Sequence, residues 1–154
     1  WRGQNLVAPP ASHWLVPLLA LAGLGVSIYL AYVETSDTVT AICGPVGNCN
    51  AVQDSPYAMF LGVPVALWGM VNYVGLIGLW AGQRWGHGRI RGLSRLGLVA
   101  LTAGGMLFSI YLTALELFVI EAVCMWCISS ALITLVLFGL SVLLAIVETR
   151  PGGS

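Results

Sequence analysis

The residues of this chain best suited to chemistry are its four cysteines, which fall into two close pairs. Cys43 is followed six residues later by Cys49, and Cys124 is followed three residues later by Cys127. Close spacing allows the two thiols of a pair to form and break a disulfide, whereas inert core cysteines have no reason to be paired. The arrangement therefore predicts reversible thiol–disulfide chemistry.

The second pair forms a C-x-x-C motif that we expect to occupy the first turn of a helix. Positions i and i+3 share a helix face and lie within disulfide reach. The positive helix end favours a thiolate, whereas apolar burial disfavours it, and Cys124, nearer the aqueous edge, should feel the dipole more. Cys127 lies one turn deeper and is expected to meet a lipid-soluble electron acceptor. The alternative is a pair of buried packing cysteines.

The first pair encloses a segment, CGPVGNC, whose glycines and proline favour a turn-rich loop. Closing so short a loop stabilises the fold by only about 2–3 kcal/mol, which suits a disulfide that opens and closes. A soluble dithiol could reduce this disulfide, and the loop dithiol could then reduce the inner pair, through mixed disulfides. A permanent structural disulfide is the alternative. A four-cysteine zinc site is disfavoured, because five intervening residues are too many for a usual ligand pair.

The elements that position these cysteines are predicted to be membrane-spanning helices. Apolar residues make up 58% of the chain and charged residues only 8%, far from a soluble balance. We expect an all-α integral membrane protein, a single domain over residues 1–154, in which small residues allow close packing of a four-helix bundle. The first apolar run lacks a cleavage site and is expected to be retained. The predicted spans are about 14–33, 61–81, 96–117 and 120–147, with an outer cysteine-bearing loop at 34–60.

The arginines predict the orientation. Arg84, Arg89, Arg91 and Arg95 surround the connection between the second and third spans, and Arg2 and Arg150 lie near the termini. By the positive-inside rule, this connection and both termini are cytoplasmic. All four thiols then face the opposite, oxidising compartment, which in a bacterium is the periplasmic side of the inner membrane. Zero net charge and the absence of lysine argue against nucleic-acid binding.

Several motifs together resemble the vitamin K epoxide reductase family in its bacterial form. They are the Cys43/Cys49 loop, Asp54-Ser55-Pro56-Tyr57, Leu61-Gly62-Val63-Pro64 and Cys124-Met125-Trp126-Cys127. The resemblance implies a four-helix bundle around a quinone, either ubiquinone or menaquinone. It also implies an enzyme that generates protein disulfides, with electrons passing from a thioredoxin-like extracytoplasmic protein to the outer pair, the inner pair and the quinone.

The resemblance also implies roles for single residues. Cys43 would face the thioredoxin-like partner, Cys49 would exchange with Cys124, and Cys127 would contact the quinone ring. Ser55 matches a family serine near the quinone, although a serine before a proline is also typical of a helix start. Trp126, which lies between the inner cysteines, is a further candidate for the quinone site. No metal is expected.

Some features leave alternatives open. The animal enzymes carry an asparagine early in the second span and a tyrosine four residues after the last cysteine, where this chain has Ala131, so vitamin K epoxide is not the expected substrate. Many bacterial relatives continue into a fifth span and a thioredoxin-like domain, and here that partner is expected to be separate from this stretch of chain. An unrelated bacterial disulfide-forming family has a similar layout, but its C-x-x-C lies early. The rival of another class is a non-enzymatic assembly or scaffold protein with a structural disulfide.

Overall fold

The computed structural model describes the backbone of residues 10–36, 38–43, 45 and 47–149, and the side chains of residues 14–148 within those ranges. Four long helices carry most of this part of the chain, and a small folded segment separates the first long helix from the second. In chain order the elements are α1 (Pro10–Thr35), α2 (Cys49–Gln53), a 3₁₀ turn (Pro56–Ala58), β1 (Met59–Phe60), β2 (Val63–Pro64), α3 (Val65–Trp85), α4 (Arg89–Leu115), a π-helical turn (Glu116–Ile120) and α5 (Met125–Thr149).

Four of these helices are long and apolar enough to cross a membrane, over Trp14–Thr35, Val65–Trp85, Arg89–Ile120 and Met125–Glu148. Their outer faces carry large apolar side chains, such as Leu18, Leu107 and Leu143, which are each more than half exposed. Such a surface suits hydrocarbon, where the backbone polar groups are satisfied inside each helix. The predicted all-α four-helix membrane bundle is confirmed.

The helices pack as a bundle in which α1 contacts α3 and α5, and α4 contacts the same two helices. Val16, Tyr73 and Leu137 lie at the centre and are almost completely buried. Small residues allow this approach: a Cβ added at Gly23 of α1 would collide with the ring of Tyr73 on α3. Without a hydrophobic force between helices in lipid, such close packing is a main source of association.

Polar side chains tie the bundle together at its centre. The hydroxyl of Tyr73 lies 2.7 Å from Ser130 Oγ and 3.1 Å from Thr134 Oγ1, and it donates to the Ser130 carbonyl at 3.1 Å. Each such hydrogen bond contributes on the order of 1 kcal/mol. Tyr73 thereby links α3 to α5 and holds these two helices in contact.

The arginine-rich end of the bundle lies opposite the cysteines. Arg95 forms an ion pair with Glu148 at 2.5 Å, and Gln83 Nε2 donates to the same carboxylate at 3.3 Å. These contacts join α3, α4 and α5 near the connection between α3 and α4. Arg2 and Arg150, which also entered the orientation argument, lie outside the described residues, and the sidedness itself stays a prediction.

The segment between α1 and α3 is more ordered than the loop predicted from the sequence. The strands β1 and β2 form a two-stranded antiparallel hairpin in which Met59 pairs with Pro64 and Phe60 with Val63. Leu61 and Gly62 make its turn with positive φ angles of 55° and 78°. Helix α3 therefore starts at Val65, after the hairpin, whereas the span was predicted to begin near residue 61.

The approach to α5 is also shaped by a local turn. The last residues of the third membrane helix widen into the π-helical turn, and Glu121 follows with a φ of 55° and a ψ of 31°. This left-handed residue reverses the chain, so α5 begins at Met125, several residues after the predicted start of the fourth span near residue 120. Cys124 is thereby placed just ahead of the first turn of α5.

Candidate functional site

The outer cysteine pair forms a disulfide between Cys43 and Cys49, with Cα atoms 6.0 Å apart. Cys49 is the first residue of α2, and Asn48 caps this helix by accepting the Ala51 N–H at 3.2 Å. The Cys49 N–H also donates to Cys43 Sγ at 3.2 Å. Cys43 is half-buried, whereas Cys49 is completely buried. One sulfur of this pair is therefore accessible and the other faces the protein interior.

A single backbone contact docks this loop onto the chain that precedes the inner pair. The Asn48 N–H donates to the carbonyl of Val123 at 2.9 Å. Gly47, with a φ of 124°, lies so close that an added Cβ would be 2.8 Å from the same carbonyl oxygen. Only glycine combines this backbone conformation with this approach. Gly47 therefore allows the outer loop to reach the inner cysteines.

Two aromatic residues hold the chain next to Cys43. The Ile42 N–H donates to the Tyr29 hydroxyl at 2.9 Å, and the indole N–H of Trp126 donates to the Ile42 carbonyl at 2.9 Å. The rings of Tyr29 and Trp126 pack against each other with centroids 4.8 Å apart. Trp126 thus faces the outer loop and is not among the cavity-lining residues, so its expected contact with a quinone has no support from this placement.

The inner pair is reduced in this structure, with Cys124 completely buried and Cys127 partly buried. Cys124 occupies the start of α5, where its Sγ accepts the N–H of Cys127 at 3.4 Å. A hydrogen bond from the Cys127 side chain lowers the pKa of the Cys124 thiol, against the opposing effect of burial. This pattern is typical of a thiolate stabilised at a helix N-terminus.

The outer and inner pairs meet in one apolar cluster. Cys49 and Cys124, both 0% exposed, lie in this cluster with Val33 and Val52. Because a thiolate must reach a disulfide sulfur directly, a shared buried environment is what exchange between the two pairs requires. The structure therefore brings together the four cysteines that the sequence singled out.

A buried carboxylate, Glu116, lies beside the inner pair and was not among the site residues expected from the sequence. It lies in the π-helical turn, is 4% exposed, and its Oε2 accepts the Cys124 N–H at 3.1 Å. It is also hydrogen-bonded to the Cys127 side chain. An acid at the end of a long uncharged run, eight residues before a C-x-x-C, is the signal that would have identified it.

Cys127 opens onto a cavity of about 560 Å³ that is lined by the four long helices, α2 and the hairpin. Its walls are mostly apolar, and Phe60 of the hairpin packs edge-on against Phe108 of α4. Gln53 Nε2 donates a long, weak hydrogen bond to Cys127 Sγ at 3.9 Å. A cavity of this size with few polar groups suits a flat apolar ring.

The polar groups on the cavity wall include some that the sequence reasoning did not identify. Ser55, which it did identify, lines the cavity and donates its hydroxyl to the Val52 carbonyl at 2.7 Å. Asn72 lines it as well. Among the described residues, Gln53 Oε1 and Glu34 Oε2 are buried oxygens without a hydrogen-bond partner. Gln53 can turn its amide to offer a donor to a carbonyl oxygen, so the lining fits a quinone head group.

Within the described part of the chain, no three His, Cys, Asp or Glu side chains form a group that could hold a metal ion.

One comparison with known proteins identifies the fold. The model of the vitamin K epoxide reductase family matches residues 14–142. The matched stretch includes both cysteine pairs, Glu116 and the whole segment from α2 to β2, some of whose residues line the cavity.

Proposed function

This chain belongs to the vitamin K epoxide reductase family of membrane thiol oxidoreductases, and we propose that it generates protein disulfides with a quinone as the electron acceptor. Electrons enter from a thioredoxin-like protein at Cys43 and Cys49, pass to Cys124 and Cys127, and leave to a quinone, either ubiquinone or menaquinone. The observation that carries the proposal is the burial of Cys49 and Cys124 in one cluster while Cys127 opens onto the cavity.

The thiol steps balance as two successive exchanges. A thiolate of the partner attacks Cys43 of the outer disulfide, and its second thiol resolves the mixed disulfide, so that the partner is oxidised and the outer pair is reduced. Cys49 then attacks Cys124 of the inner disulfide, and Cys43 attacks Cys49 to release Cys124. Each exchange moves two electrons and two protons. The lowered pKa of Cys124 makes it a good leaving group in this release.

The inner dithiol then passes its electrons to the acceptor. A bound quinone supplies two-electron chemistry, since it accepts two electrons and two protons to become the quinol. Cys127 is the thiol on the cavity wall, and Gln53 and Asn72 lie on that wall with amide groups that can donate to carbonyl oxygens. Ser55 also lies there, but its hydroxyl already donates to the Val52 carbonyl. The role of Trp126 is better supported as an anchor of the outer loop, because its indole N–H binds the Ile42 carbonyl.

The surroundings of the four cysteines support a proposed direction of electron flow and a proposed location. They lie at one end of the bundle, and the Arg95–Glu148 pair lies at the other. With arginines on the cytoplasmic side, the site faces the periplasm of a bacterial inner membrane and both termini are cytoplasmic. An oxidised quinone pool then drives the oxidation of thiols. For a two-electron couple, a difference in reduction potential of roughly 30 mV changes the equilibrium constant about tenfold, so a modest excess of oxidised quinone sets the direction.

The test is an anaerobic turnover measurement on the purified chain in lipid. A reduced thioredoxin-like dithiol and a ubiquinone or menaquinone analogue are added, and quinone absorbance is followed for wild type and the four single Cys→Ser variants. Each variant is expected to lose steady turnover. Cys127→Ser cannot form the inner disulfide, but its Cys124 thiolate can attack Cys49 of the oxidised outer pair and release Cys43, so a mixed disulfide between Cys49 and Cys124 should still be trapped.

Two results would separate this proposal from a structural role. If Cys124 and Cys127 can be changed to Ala without loss of function in cells, the chain is a membrane assembly or scaffold protein whose Cys43–Cys49 disulfide is structural. If quinone is not consumed and the Cys43–Cys49 bond stays oxidised with excess dithiol, the relay is refuted. Thermal unfolding of each variant in the same lipid serves as the control for folding.

A further inference from the structure

Glu116 is a buried titratable group beside the inner cysteines that the relay leaves without a task. It is 4% exposed, and a carboxylate in an apolar bundle is costly unless it is well partnered. Its carboxylate accepts the N–H of Cys124 at 3.1 Å and interacts with the side chain of Cys127. Glu116 and Cys127 also line the same cavity, so the carboxyl group lies beside the thiol that opens onto it.

The cavity wall beside Glu116 has no fixed positive charge on the part that the structure describes. Among the described residues that line the cavity there is no arginine or histidine. The titratable groups that face this space are Cys124 and Cys127 beside it, and Glu34, Tyr57 and Tyr73 across it. The described cavity wall thus offers no ion pair to hold Glu116 permanently ionised, and the Cys127 thiol on the same wall carries an exchangeable proton.

We propose that Glu116 is a further catalytic residue, which takes the proton of the Cys127 thiol and delivers it within the cavity while the inner pair is oxidised. This inference rests on the proposed function. Formation of the Cys124–Cys127 disulfide releases two electrons and two protons, which is what reduction of one quinone to the quinol takes up. The Cys127 S–H bond breaks, and its proton moves to a Glu116 oxygen, from which it would pass to one oxygen of a bound quinone. The Cys124 thiol loses the second proton to water as its sulfur bonds to Cys127 Sγ, the electron pair would pass to the quinone, and the other quinone oxygen would take up a proton from water. The carboxylate returns to its starting state.

Glu116→Gln isolates this role from the structural one. The glutamine side chain keeps an oxygen that can accept the Cys124 N–H, but it cannot take up a proton. Glu121, which is exposed and five residues along the chain, provides the matched control as Glu121→Gln. In a single turnover with quinone from the reduced inner pair, Glu116→Gln is expected to be slower by roughly 100-fold, the usual size of a lost general acid–base catalyst. Glu121→Gln should match wild type.

A second readout needs no quinone. In a Cys124→Ala background, the rate of Cys127 alkylation by N-ethylmaleimide is measured against pH by mass spectrometry. If the proton moves from Cys127 to Glu116, the site keeps the same number of protons, and the rate should be nearly constant across neutral pH. With Glu116→Gln added, the proton must leave to water, and the rate should rise about tenfold per pH unit.

The outcomes are distinct. A flat profile that becomes steep with Glu116→Gln supports the proposal, and a Glu116→Asp variant that stays flat supports it further even if the Gln variant folds poorly. Equal slopes with and without the carboxylate, or full-speed quinone reduction by Glu116→Gln, would overturn it. Failure of wild type to reduce quinone would instead refute the proposed function, and the alkylation profile would still decide whether Glu116 holds the proton.

Discussion

Replacing Gly47 with alanine should slow electron transfer between the two cysteine pairs without affecting the quinone step. Gly47 has a φ of 124°, and an added Cβ would lie 2.8 Å from the Val123 carbonyl oxygen. That backbone conformation costs a non-glycine residue about 1–3 kcal/mol. Moving the loop away also breaks the 2.9 Å hydrogen bond from Asn48 to Val123, which is worth about 1 kcal/mol.

The resulting penalty is roughly 2–4 kcal/mol. The loop is held by a few hydrogen bonds, to Val123, to Tyr29 and from Trp126, so the penalty is similar in size to the docking free energy itself. Since about 1.4 kcal/mol corresponds to a factor of ten, the equilibrium constant for docking should fall by roughly 30-fold or more. Exchange between Cys49 and Cys124 should slow in proportion to the docked fraction.

The assay starts from a reduced outer pair and an oxidised inner pair, stops the reaction by acid and alkylation, and counts each modified cysteine by mass spectrometry. Gly139→Ala is the matched control, because Gly139 has open space around it on α5. Quinone reduction from a pre-reduced inner pair should be unchanged in both variants. Wild-type exchange rates in Gly47→Ala would refute the argument that this contact docks the loop.

Three further changes have expected outcomes. Tyr73→Phe removes the hydroxyl that joins α3 to α5 and should destabilise the bundle by about 1 kcal/mol, seen as a Tm lower by roughly 2–4 °C in lipid; an unchanged Tm would contradict the role given to that hydroxyl. Trp126→Phe keeps the packing on Tyr29 but loses the hydrogen bond to the Ile42 carbonyl, so exchange between the pairs should slow by roughly fivefold in the same quench assay. Cys127→Ala removes the hydrogen bond that lowers the pKa of Cys124, so the pH at which Cys124 becomes half alkylated as thiolate should move upward; a midpoint that stays or falls would show that the lowered pKa has another cause.

Much of the bundle could be predicted because membrane helices depend on local composition. Uncharged runs of spanning length can be identified in the sequence, and the positions of the two cysteine pairs relative to these runs place both at one end. The boundaries were less predictable. The start of α3 at Val65 depends on the hairpin turn at Leu61 and Gly62, and the start of α5 depends on the left-handed Glu121. Neither conformation follows from apolar periodicity.

The cysteines of the site could be found from spacing, but their surroundings depend on tertiary contacts. The Cys124 N–H donates a hydrogen bond to Glu116 across a turn of the chain. Because this donor is a backbone group, the sequence carries no signal for it. The contact between Gly47 and Val123 joins residues separated by about half of the chain length. Trp126 shows the opposite limit, since adjacency to both inner cysteines in the sequence does not determine which way its ring faces.

The different local structures of the two pairs suit the different steps that we propose for them. A helix start holds Cys124 against fixed N–H groups, which stabilise a thiolate and make it a good leaving group. A loop closed by Cys43 and Cys49 can instead present one sulfur outward and keep the other buried beside Cys124. If the outer pair also lay on one rigid helix, neighbouring positions of that helix would have to present one sulfur to the partner and the other to the protein interior. The short helix α2, which begins at Cys49, keeps the buried sulfur in place, while Cys43 on the other side of the loop is only partly buried.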